Sequence, residues 1–125
     1  PVRGGMTMYV TILGTQYRIV RMRYDEDEAF DRRHIDGYCD SYQKLIVVCD
    51  VSTYPGWEHE PKETSELCEK HTLRHEIVHA FLSESGLADS SCILDSGWAK
   101  NEEMVDWIAS RGPLIYEAWR EAGAL

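Results

Sequence analysis

The stretch His75-Glu76-Ile77-Val78-His79 holds the residue types best equipped for chemistry. It reads H-E-x-x-H inside a segment whose pattern predicts a helix over residues 61–85. Side chains four positions apart on a helix lie one turn above each other on a shared face. His75 and His79 are therefore expected to offer two imidazole nitrogens to one metal ion. Glu76 is rotated by about 100° from His75, too far round to be an obvious ligand beside that pair but well placed to reach a water on the metal. Two neutral imidazoles, an open coordination position and a carboxylate base beside the water are what a zinc hydrolase needs. Leu67, Leu73, Ile77, Val78, Phe81 and Leu82 fall mainly opposite the histidines, so one helix face is expected on a core and the other toward a cleft.

A catalytic zinc usually takes three protein ligands. The third is sought in Asn101-Glu102-Glu103-Met104-Val105-Asp106, on a second helix expected over residues 98–111. Trp98, Val105, Ile108 and Ala109 mark the expected buried arc of that helix. Glu102 lies at its edge, Asp106 follows four residues later on the same edge, and Glu103 points about 100° further out. Glu102 is the expected ligand and Glu103 the alternative. Asp106 is placed to accept a hydrogen bond from a liganding histidine, which fixes the ring and raises its basicity. Cys92, in the loop between the two helices, is a lesser candidate for the third position. His71 is expected at the rim, because three histidines stacked along a straight helix span too far for one ion. His59, Tyr54, Tyr116 and Arg111 are the candidates for supporting an oxyanion.

The rest of the chain must position these groups. Residues 6–24 read as a β-hairpin broken at Gly14-Thr15, with Arg18, Arg21 and Arg23 indicating a partly solvent-facing surface. Asp25-Glu26-Asp27-Glu28 reads as a solvated loop or helix start, and residues 29–37 carry no clear pattern. Residues 37–50 read as a second hairpin, with Leu45-Ile46-Val47-Val48 as a buried strand. Residues 52–60 form a loop marked by Pro55-Gly56. Pro61 and Glu63 suit the first turn of the metal helix, and Gly86 suits its end. Asp95 and Ser96 are N-cap candidates for the second helix. That helix is expected to stop at Gly112-Pro113, with a final helix from Pro113 to about residue 122. Trp98, Trp107 and Trp119 are expected as core anchors. Strands first and helices afterwards make the expected fold α+β, with an antiparallel sheet built from the hairpins.

A chain of 125 residues fits one domain with a real core, taken here as residues 6–125, and residues 1–5 read as a processing or cloning remnant. Hydrophobic residues make up 43% and charged residues 28%, ordinary for a globular protein. A net charge of −9 argues against broad nucleic-acid binding, which depends on cationic surface. No run approaches a membrane span and no secretory signal is evident, so a cytoplasmic location is expected. Cys39, Cys49, Cys68 and Cys92 form no C-x-x-C pair and are expected as reduced thiols.

His75-Glu76-x-x-His79 followed by Asn101-Glu102-x-x-x-Asp106 resembles the gluzincin pattern, in which the second helix gives a Glu to zinc and an Asp behind a histidine. The short chain and close motif spacing more nearly resemble the minimal zincin-like domains of phages and mobile elements, of the ImmA/IrrE-like kind, over roughly residues 44–110. The resemblance implies a metallopeptidase with one zinc per chain on His75, His79 and Glu102, Glu76 as general base, and a protein or peptide substrate. The chain has no room for the substrate-binding subdomain of the large gluzincins. A non-catalytic protein-binding module on the same scaffold is the rival reading, and the presence of Glu76, which a purely structural site would not require, favours the enzyme. Hydrolysis of something other than a peptide bond is a third. The oligomeric state is left open.

Overall fold

The computed structural model describes residues 7–90 and 97–125. The readings of residues 1–5, Cys92, Asp95 and Ser96 lie outside those residues. The fold is α+β, a four-stranded sheet followed by helices. Strands β1 (Thr7–Ile12) and β2 (Thr15–Arg23) form the first hairpin. Leu13 (φ 48°) and Gly14 (φ 85°) turn it. Two successive left-handed residues match the right-handed twist of the flanking strands. Strands β3 (Gly37–Asp40) and β4 (Leu45–Asp50) form the second hairpin.

The expectation of an antiparallel sheet holds only within each hairpin. The sheet is mixed, with order β1-β2-β4-β3 and β2 parallel to β4. Alternation along β4 gives the reason. Ile46 and Val48 join Ile12, Tyr17, Ile19 and Ala80 in one buried cluster, while Val47 and Cys49 pack with Phe30 in another. A strand apolar on both faces belongs inside the sheet. The chain leaving β2 therefore crosses to the far edge before pairing back, by way of a 3-10 turn (Tyr24–Glu26) and helix α1 (Ala29–Arg32). Ala29 and Phe30 of α1 are buried. One turn of helix is too short to show a sequence period, which is why residues 29–37 carried none. Arg21 does not face solvent as expected. Its guanidinium pairs with Asp50 at 3.0 Å and with Glu69 at 2.7 Å.

Helix α2 (Lys62–Glu84) packs on the sheet and ends at Gly86, whose φ of 82° only a glycine adopts without strain. Its buried residues are Ser65, Thr72, Glu76 and Ala80. Of the apolar stripe expected to meet the core, Leu73 and Ile77 do so, whereas Leu67 and Phe81 are exposed. Close approach to β3 is the cause. A Cβ added to Gly37 would stand 2.6 Å from Thr72 Cγ2 and 3.0 Å from the Val47 carbonyl oxygen. Only small side chains, or polar ones with partners, fit that contact. Thr72 Oγ1 donates to Asp36 at 3.0 Å.

Beyond α3 (Leu87–Ser90) and a 3-10 turn (Trp98–Lys100), α4 runs unbroken over Glu102–Glu121. The expected break at Gly112-Pro113 does not occur. Proline there removes the N–H that would bond the Ala109 carbonyl. Arg74 of α2 supplies the missing donor, its Nε lying 2.6 Å from that oxygen. α4 starts at Glu102 and its cap is Asn101, in place of the expected Asp95 or Ser96; the Asn101 side chain accepts from the Met104 N–H at 2.8 Å. Val105 and Ala109 form the buried arc as expected, but Trp98, Trp107 and Trp119 are more than half exposed and do not anchor the core. Among the described residues no helix is long and apolar enough to cross a membrane.

Candidate metal centre

Helices α2 and α4 pack together, and their contact assembles the site. His75 and His79 stand one turn apart on α2, and their Nε2 atoms approach to 3.2 Å. Glu102, in the first turn of α4, closes on both. Its Oε1 is 2.6 Å from His79 Nε2 and its Oε2 is 3.6 Å from His75 Nε2. Tetrahedral bonds of about 2.0–2.1 Å place neighbouring ligand atoms roughly 3.3 Å apart. The 3.2 and 3.6 Å separations lie close to that value. The 2.6 Å contact is a hydrogen-bond length. The donor set, two imidazoles and a carboxylate, fits a zinc ion.

Glu76 is 7% exposed, and its carboxylate belongs with His75 and His79 to a group that could hold a metal ion, all three ligand atoms lying within 4.8 Å of one another. Burial pushes its pKa up to about 8, helped by the charges of Glu102 and Asp36 and opposed by Arg33. A carboxyl so raised holds a proton near neutrality and gives it up readily, as a general acid–base group must. A cation alongside would pull it back toward ionisation. Burial also lowers the His79 pKa, which favours the neutral imidazole that a metal would need over the imidazolium.

Asp106 lies one turn after Glu102 on α4. Its Oδ1 is 3.1 Å from His75 Nδ1 and 2.7 Å from His71 Nε2. A carboxylate only accepts, so His75 donates through Nδ1 and keeps its Nε2 lone pair toward the site. Both histidines hold the Asp106 pKa below its ordinary value, His71 first. His71 thus lies at the rim as expected, and it steadies the carboxylate that orients His75. Glu103 is exposed, and among the described residues it is Glu102 and Asp106 that pair with the two histidines.

An open cleft of about 850 Å³ leads from this group along α2. Of the candidates for oxyanion support, Tyr54 lines it, whereas His59, Tyr116 and Arg111 do not. The lining residues that the sequence did not mark include two titratable ones, His34 (φ 54°) and Asp36. They sit in the short connection from α1 to β3, where no periodicity could mark them; Gly37 beside them was the nearest signal. Cys39, Cys49 and Cys68 are free thiols, and burial raises Cys39 and Cys49 to about 12.

No protein-family model matches the chain, and neither a curated protein nor a solved structure matches it.

Proposed function

We propose that the protein is a zinc-dependent metallopeptidase of the zincin-like type, resembling the small ImmA/IrrE-like enzymes of phages and mobile elements. The observation that carries this reading is the convergence of Glu102 from α4 on His75 and His79 from α2, with buried Glu76 beside them. A structural site would need the ligands alone; it would have no use for a further buried carboxyl beside them.

His75, His79 and Glu102 would hold the ion. Zinc, when bound, would supply Lewis-acid chemistry toward a carbonyl and a water. Glu76, buried beside the ligands, would accept a proton from the attacking water and pass it to the leaving amine. Asp106 fixes the His75 ring by its hydrogen bond, so that Nε2 stays aimed at the site.

Elemental mass spectrometry of the purified protein, with no metal added, tests the metal half of this reading. About one zinc per chain is expected. Protein that stays empty and cannot be loaded would sink it. Chelator-sensitive cleavage of an unfolded protein mixture, with Glu76→Gln as control, tests the peptidase half.

A further inference from the structure

The cleft does not end at the metal centre. It follows α2 back toward its first turns, where Leu67 joins Ile35, Val51, Tyr54 and Trp57 in an apolar and aromatic wall. Leu67 is 68% exposed although it sits inside a 23-residue helix, with its side chain on the cleft. Eight residues of helix separate it from His75, about 12 Å at 1.5 Å per residue. An extended peptide covers that distance in three to four residues at roughly 3.3–3.6 Å each. The carboxylates lining the cleft are Asp36, Glu76, Glu102 and Asp106, and no lysine or arginine lines it.

We propose that the metal cleft binds an extended peptide segment whose bulky apolar side chain, three to four residues from the bond at the metal centre, seats against Trp57 and Leu67, with no acidic residue in between. This rests on the peptidase reading and adds the substrate class to it. The anchor is apolar because the wall that receives it carries Trp57, Tyr54 and Leu67. The intervening stretch is neutral or basic because Asp36 and Asp106, which touch Thr72 and His71 between Leu67 and His75 and do not hold the ion, would repel acidic side chains, with no Lys or Arg lining the cleft there.

The test is two-dimensional NMR of the full chain carrying Glu76→Gln, so that nothing is cut. The probes are the blocked peptides acetyl-Phe-Gly-Gly-Gly-Ala-amide, its Ala-for-Phe counterpart, and a version with Glu at the third position. The phenylalanine peptide should shift the Trp57 indole N–H and the Leu67 methyls in a saturable manner. The Glu peptide should bind more weakly, by charge repulsion, and the Ala-for-Phe peptide at least about tenfold more weakly, the scale of one large apolar side chain. Leu67→Asp, at an exposed position that leaves folding intact, should weaken the phenylalanine peptide by a similar factor. Equal binding of all three peptides overturns the proposal, as does a phenylalanine peptide that moves neither residue. Because the readout is binding, a protein that binds as described yet cleaves nothing would defeat the peptidase reading alone.

Discussion

At the scale of single residues, Glu76 and Glu102 are both carboxylates of the same centre, and their surroundings divide their roles. Glu102 is well exposed and reaches both imidazoles, the contacts the proposed ligand needs, while Glu76 is buried and, in the metal-free protein, has its pKa raised to about 8. Glu76→Gln is expected to keep the metal and lose hydrolysis by at least ~100-fold, the scale of a general base. Cleavage at the wild-type rate would remove Glu76 from the mechanism. Glu102→Ala should release zinc during dialysis and Glu103→Ala should not; metal analysis showing the opposite would reassign the third ligand. Glu76 also makes a pH prediction for the metal-stripped protein. Its folded pKa lies above the ordinary value of 4.5, so the folded state binds its proton more tightly than the unfolded chain does. The stability it contributes is complete below about pH 4.5 and is lost as the pH rises toward 8. Melting temperatures across that window should fall more steeply for wild type than for Glu76→Gln, and parallel profiles would contradict the assignment.

At the scale of elements, the site depends on two helices keeping register across a proline. Arg74 on α2 donates to the Ala109 carbonyl of α4, the oxygen that Pro113 leaves without its helical partner. Arg74→Met should leave that carbonyl unsatisfied in a buried position, costing about 1–3 kcal/mol in urea unfolding. The same change should cost much less beside Pro113→Ala, where the helix regains its own N–H. Equal costs in the two backgrounds would show that the bond and the proline are uncoupled. The Gly37 contact works in a similar way between β3 and α2. The helix can approach there only because position 37 has no side chain, and that approach brings Glu76 under cover.

At the scale of the whole molecule, the far end of α2 is tied to the sheet by charge. Glu84 accepts from Lys44 at 2.6 Å and from Tyr17 at 2.7 Å, and these partners with Thr15 lower its pKa to about 2, Lys44 contributing most. A depressed pKa stabilises the fold above the ordinary carboxyl range, and the effect fades as pH falls from about 4.5 through 2. Glu84→Gln should therefore melt below wild type at neutral pH, with the gap closing on acidification. A gap that persists at pH 2 would assign the loss to packing instead of charge.

The sequence by itself determined the parts that rest on local periodicity. Four-residue spacing put His75 over His79 and Glu102 before Asp106, turn chemistry marked both hairpins, and Gly86 ended α2. These depend on neighbours within a few positions, which any reader of the chain has in view. Only the tertiary structure decided the rest. The parallel pairing of β2 with β4, the exposure of Trp107 and Trp119, and the burial of Thr72 and Glu76 follow from which surfaces meet. Pro113 lies inside α4, where local rules end a helix, because a donor 39 positions earlier in the chain satisfies the carbonyl it freed. His34 and Asp36 reached the cleft by the same kind of long-range packing, which no local pattern encodes.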